Sequence, residues 1–318
     1  MAGGRPGGAA HRAAGDDVRR PAGLTLVEVL VAMLLVLGVI AGSIAFVTRG
    51  RESHRTSESL ARLEEALDAA FAMLTDELRL SGYLGLAPPG TPVDGASLLG
   101  AAERPDLAVA GGCGPSLALD LGTPLSAASG AYAAAPAVTL ACRPSPLGRA
   151  ATSADTLVTR HASVDPARPQ AGRLQLESTL RAARLAADGS AILGPESRRH
   201  DLESSVFYVS ADSTGRSDWP SLRRKRLVGG TRPAFQDEEL VSGIADLQVM
   251  LGLDDPSDPD VSVDRWVTPG EPGSGGLPRA LKIELEAWSD VPERGQPERV
   301  RRKRAMRVVE LRNTGLQP

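Results

Sequence analysis

One stretch of this chain limits what the rest can be. Residues 24–47, LTLVEVLVAMLLVLGVIAGSIAFV, hold a single ionisable side chain, Glu28. As a helix rising 1.5 Å per residue they reach about 36 Å, enough to cross a hydrocarbon core of about 30 Å with some tilt. No other stretch of the sequence is apolar for that length. Arg5, Arg12, Arg19 and Arg20 precede the run and favour a cytoplasmic N-terminus, a bias that Arg49 and Arg51 beyond it weaken.

A carboxylate inside an apolar helix is costly, and a disposable signal or a plain anchor has no use for one. A secretory signal would have a shorter apolar core, although Ser43-Ile44-Ala45 would serve as its cleavage site. Arg19-Arg20 suggests a twin-arginine signal, but the residues that follow fit it poorly. Glu28 is explained differently by the residues around it. Gly23-Leu24-Thr25-Leu26-Val27-Glu28, followed by Val29-Leu30-Val31-Ala32-Met33, resembles the type IV prepilin signature. The resemblance implies that a prepilin peptidase cuts between Gly23 and Leu24 on the cytoplasmic side and methylates the new amine of Leu24. Glycine before the scissile bond would let the backbone enter a tight peptidase site. Glu28 would become the fifth residue of the mature chain and would set register in a filament, meeting a neighbour's N-terminal amine where each charge offsets the burial of the other. Many members of the family have Phe where this chain has Leu24. Removing the leader, residues 1–23, shifts the side-chain charge from −3 to −5.

The helical pattern continues past residue 47. Leu60, Leu63, Leu67, Phe71, Leu74 and Leu78 form one apolar stripe, and Arg62, Glu64, Glu65, Asp68, Asp76, Glu77 and Arg79 fill the opposite face. Ser81-Gly82 and the glycines and prolines after it stop the helix. The expectation is one helix over residues 24–82, membrane-spanning over 24–47. Gly38 and Gly42 would offer a helix-dimer face or a point of local stretching.

Residues 83–318 are expected to be an extracytoplasmic globular part, loop-rich over 83–154 and β-rich over 155–318. Cys113 and Cys142 enclose a segment with little core of its own. An oxidising compartment would bridge them, two free thiols being the alternative. Strand patterns fall at 155–161, 172–177, 204–210, 222–228, 245–253, 280–289 and 300–312. Leu281, Ile283, Leu285 and Ala287 alternate there with polar neighbours, the period of a half-buried antiparallel strand. One long helix followed by sequential strands gives an α+β fold with an antiparallel sheet. Leu78–Tyr83, Asp155–Arg160, Asp212–Arg216, Glu239–Gln248 and Val308–Asn313 are similar to the PilW-like minor pilins, which implies a type IV pilin-like architecture.

Catalytic signatures are missing: the sequence has no HExxH, GxSxG, Walker A or CxxC, and its histidines lie far apart. No enzymatic activity and no resident cofactor are expected. Asp254, Asp258, Asp260 and Asp264 supply the oxygen ligands calcium prefers, but without the turn glycine and closing glutamate of an EF-hand loop, so a plain acidic loop is the favoured reading. Arg223–Arg226 and Arg301–Arg304 are basic runs in strands without interleaved aromatics. The near-neutral balance of 36 Lys+Arg against 39 Asp+Glu also argues against nucleic acid, leaving solvated faces or acidic partner subunits as their use.

The sequence therefore points to a minor pilin that helps initiate or cap a type IV pilus. Its partners would be the prepilin peptidase, other minor and major pilins, the inner-membrane assembly platform and the lipid bilayer. It would sit in the bacterial inner membrane with a periplasmic C-terminal domain, then in the pilus. A J-type pseudopilin of type II secretion and a membrane-anchored periplasmic binding module are the alternatives.

Overall fold

The computed structural model describes residues 23, 25–95, 109–110, 114–130, 150–151, 153–190, 194–255, 257, 262–271, 273, 278–293 and 296–313. The chain divides into two compact units, residues 1–54 and 55–318. Helix α1, Leu26–Leu80, contributes to both. A shorter helix, α2 (Gly114–Leu119), and strands β1 (Val93–Asp94), β2 (Leu125–Ala128), β3 (Thr156–Pro166), β4 (Ala171–Ser178), β5 (Ala183–Asp188), β6 (Arg198–Ser210), β7 (Ser221–Val228), β8 (Ala234–Ser242), β9 (Ile244–Leu253), β10 (Arg265–Val267), β11 (Ala280–Glu293) and β12 (Gln296–Glu310) build the second unit. The class is α+β: a long, apolar N-terminal helix and two sheets that are antiparallel except where β1 pairs with β5.

Over residues 26–47 of the first unit α1 is apolar but for Glu28 and exposed all round. Leu26, Leu34 and Phe46 are 78%, 72% and 80% exposed, and the segment is long and apolar enough to cross a membrane. An added Cβ at Gly38 or Gly42 would meet nothing.

In the second unit α1 buries Ser59, Leu63, Leu67, Ala70, Phe71, Leu74 and Leu78, spaced so that every one falls on a single face. Leu60, expected to open the stripe, is 41% exposed, and Ser59 takes the inward position with a hydroxyl contact to Ser289. The larger sheet branches at β6. One edge of β6 pairs with β3; the other pairs with β4 through Arg198–Asp201 and with β7 through Ser205–Ser210. The smaller sheet has the order β10-β9-β11-β12. The buried face of α1 closes over both sheets, with Leu157, Phe207 and Leu222 from the larger and Leu247, Val249, Ile283, Leu285 and Val309 from the smaller. A second apolar layer lies on the far side of the larger sheet, where Leu117, Ala118 and Leu119 of α2 cover Val158, Leu174, Leu176, Leu202 and Val206.

The chain passes between sheets at Gly243, with φ of +88°. Its N–H donates to the Pro220 carbonyl (2.7 Å) and its carbonyl accepts from Trp288 N–H (2.8 Å), so the turn is held from both sheets. Gly82 ends α1 with φ of +82°, and a Cβ there would stand 2.7 Å from the Asn313 carbonyl oxygen. Only glycine combines that backbone region with that approach.

The seven strands read from the sequence are all present, several of them longer than expected. Strands β5, β8 and β10 and helix α2 were not anticipated, whereas β1 and β2 are short strands of the kind a loop-rich 83–154 allows. Residues 83–154, read as loop-rich, hold β1, α2 and β2 among their described residues. Cys113 and Cys142 lie outside the described residues.

Candidate functional site

Two regions hold the residues singled out above: the first turn of α1, and the charged surfaces that α1 and the sheets share in the second unit.

Thr25 precedes α1 and caps it. Its Oγ1 accepts from Glu28 N–H at 3.3 Å, and its carbonyl accepts from Val29 N–H at 3.2 Å. Glu28 is the acidic residue of the first turn, at the end where the helix dipole favours a negative charge. It shares an open face with Val29, Ala32, Met33, Val36 and Leu37, so one carboxylate stands at the head of an apolar strip. Gly23 is described and exposed; Leu24 lies outside the described residues.

The polar face assigned to α1 needs one correction. Glu77 does not face solvent: it packs on the larger sheet, where its Oε1 lies 2.8 Å from Arg224 Nη1 and its Oε2 lies 3.2 Å from His161 Nε2. His161 Nδ1 also lies 2.9 Å from the Ala162 carbonyl oxygen, so both ring nitrogens face acceptors, an arrangement that favours the imidazolium. Burial pushes the His161 pKa down, but the hydrogen bond and charge of Glu77 outweigh it and hold the ring above its ordinary value. Burial likewise pushes Glu77 up, and His161 and then Arg224 hold it below the usual carboxylate range. The cluster is a tie between helix and sheet.

The basic runs are likewise paired within the chain. Arg223 bridges Asp237 (2.6 Å) and Glu239 (3.1 Å) on β8, and Arg224 bridges Glu238 (2.6 Å) as well as Glu77. Strand β8 was missing from the sequence reading, and its run Asp237-Glu238-Glu239 is the counterpart of Arg223–Arg226 across the register. In the second run Lys303 reaches Glu64 on α1 at 2.5 Å, and beyond the run Arg307 reaches Asp68 at 2.5 Å. Arg304 grips Glu286 at 2.7 Å, and Arg302 lies over the Trp288 ring. Arg223 and Lys225 are buried, whereas Arg302 and Arg304 stay largely exposed beside their partners.

Of the acidic-loop residues, Asp254 pairs with Arg279 at 2.9 Å and Asp264 accepts the Asp255 N–H at 2.5 Å; Asp258 and Asp260 lie outside the described residues. Among the described residues no group of three or more His, Cys, Asp or Glu could hold a metal ion.

Two further features had no signal in the sequence. Glu177 is buried in the larger sheet with Arg199 (3.3 Å) and Arg184 (2.7 Å). Arg160, buried under α2, donates to the Leu117 and Thr123 carbonyls, and burial lowers its pKa to about 10. Cross-strand register places Arg184 and Arg199 opposite Glu177, and the packing of α2 and the loop after it brings the carbonyls to Arg160.

A family model described as type IV pilus-assembly protein W matches residues 206–291, just over a quarter of the chain. The match runs from the last residues of β6 to β11 and takes in the crossing between sheets at Gly243. Asp212–Arg216 and Glu239–Gln248, two of the segments that carried the sequence resemblance, fall inside it. No curated protein and no solved structure matches the chain.

Proposed function

We propose that this chain is a minor pilin, a non-catalytic subunit that helps initiate or cap a type IV pilus after cleavage by a prepilin peptidase. The observation that carries the reading is the first turn of α1. A single carboxylate, Glu28, four residues after Leu24, heads the stretch of α1 over residues 26–47 that is otherwise without an ionisable side chain. The pilus-assembly W match over 206–291 supports the same reading from a different part of the chain.

The mechanism is assembly. An apolar helix stores the subunit in the bilayer at a favourable transfer free energy, about 25 cal/mol for each Å² of apolar surface removed from water. Cleavage after Gly23 leaves a cationic amine about 6 Å along the helix from Glu28. Between staggered neighbours the amine of one helix and the carboxylate of the next neutralise each other in a medium of low dielectric, which fixes register. The globular unit then contacts the other pilins.

Intact mass of the protein from membranes of a host with and without the peptidase tests this reading. The expected product starts at Leu24, carries one added methyl group, and forms only when the peptidase is present. A full-length chain, or a start near Phe46, would overturn it.

A further inference from the structure

Among the described residues strand β12 is the last strand of the smaller sheet and pairs along one edge only, with β11. Which of its backbone groups point outward follows from two bonds. Leu311 N–H donates to the Arg279 carbonyl, and these residues are opposite in the β11–β12 register. Leu247, opposite Leu285 in β9–β11, gives its carbonyl to Asp155 outside the pair, so Leu285 turns its own groups toward β12. Hydrogen-bonded and non-bonded pairs alternate in an antiparallel ladder. Lys303, Ala305, Arg307 and Val309 therefore bond to β11. Arg302, Arg304, Met306, Val308 and Glu310 turn their N–H and C=O groups to the outer edge, and no hydrogen bond among the described residues reaches these groups.

Two protections against strand addition, a bulge and a proline, are missing from the outer stretch of β12, while its cations remain and would select for an acidic strand. From Ala280↔Glu310 to Trp288↔Arg302 the register is unbroken by a bulge, and residues 300–310 contain no proline. The side chains beside the free groups are sorted. Met306 and Val308 are 57% and 54% exposed, and an open groove of about 430 Å³ beside Met306 runs over Gln248, Met250, Lys282 and Glu284. Arg302 and Arg304 stand at the rim, 59% and 63% exposed, while their carboxylate partners Glu284 and Glu286 sit one strand further in. A segment arriving from outside meets the cations first.

We propose that the β12 edge is a docking edge. An extended segment of another subunit adds to it as a strand, with acidic side chains opposite Arg302 and Arg304 and apolar ones opposite Met306 and Val308. Main-chain bonds supply the affinity and the side chains the register. The proposal names the chemistry of a partner contact and rests on the assembly-subunit reading above.

Fluorescence anisotropy of the full-length chain in detergent tests it. The probe is a labelled peptide, Lys-Thr-Val-Thr-Ile-Thr-Glu-Thr-Glu, written to pair antiparallel with Glu310 through Arg302. Met306→Pro removes an outward N–H and leaves the bonds to β11 intact, at a kind of strand position where proline is tolerated. Met306→Ala keeps the N–H. The expected result is binding by the parent chain and by Met306→Ala. Binding should be weaker by about tenfold or more in Met306→Pro, with circular dichroism unchanged, and in an Arg302→Glu/Arg304→Glu variant. No binding by the parent chain, equal binding by Met306→Pro, or equal binding of a peptide with lysines in place of the glutamates would overturn the proposal. So would a dimer of this chain that Met306→Pro dissolves, since the occupant would then be a second copy. Failed cleavage at Gly23 with these results intact would remove the pilin reading and leave the edge; normal cleavage with Met306→Pro unchanged would remove the edge alone.

Discussion

At the scale of single residues, the second unit depends on charges held out of water. Glu77 and His161 are the pair whose pH dependence can be worked out. The His161 pKa is raised above 6.5, so its contribution to stability is complete below about pH 6.5 and is lost as pH rises through the native value. The Glu77 pKa is lowered below 4.5, so its contribution is complete above about pH 4.5 and is lost as pH falls through the native value. Glu203, which faces His161 and whose carboxyl is raised by burial, also disfavours the native state as pH rises. The pair therefore contributes in full between about pH 4.5 and 6.5. Urea midpoints should fall from pH 5.5 to 8.5 in the parent chain and fall less in His161→Gln. Glu77→Ala strands His161 and leaves Arg224 with Glu238 alone, and equilibrium unfolding at pH 6 should show a loss of about 3 kcal/mol, the low end for breaking a buried pair.

At the scale of elements, α1 is one helix with two kinds of surface. Over residues 26–47 every side is apolar, a pattern that identifies a helix for a non-aqueous medium. Past Arg55 a single face is apolar, and that face closes the core of two sheets. The distinction makes neighbouring positions unequal. Phe71, 1% exposed and centred in the core, should cost about 3–5 kcal/mol as Phe71→Ala. Leu60, 41% exposed one residue past the inward Ser59, should change stability by less than about 1 kcal/mol as Leu60→Ala. Thermal unfolding of the two variants side by side checks the assignment of the buried stripe. If they are equally destabilised, the face has been misassigned.

At the scale of the whole molecule, the apolar helix of the first unit is a candidate membrane span, and membrane retention tests it. The chain should stay with membranes through an alkaline carbonate wash. Replacing both Leu34 and Leu35 by Arg, at about 2.5–3.5 kcal/mol each near a bilayer centre, should release a substantial fraction into the supernatant. Retention of the double variant would mean that something other than this helix holds the chain.

What the sequence determined by itself is whatever is written in local periodicity. The apolar run, its single carboxylate and the glycine before it are contiguous, so no tertiary contact is needed to see them. The same is true of strands such as β9 and β11, where Leu247 to Leu253 and Leu281 to Ala287 alternate over enough residues to reveal a buried face. The pattern fails where burial does not alternate. Ala183–Asp188 has small side chains that pack without an apolar signature. In Ala234–Ser242 the carboxylates that mask the strand are there to answer the arginines of β7. Tertiary structure alone decided the partners of the charges. Glu77 lies on the same helix as Asp76 and Arg79 and looks no different from them in sequence. It turns inward because the helix phase set by Phe71, Leu74 and Leu78 points it at His161 and Arg224, which lie more than eighty residues away along the chain. The free edge of β12 was likewise invisible: an edge is a property of strand order, and strand order is settled by which faces bury together rather than by any one segment.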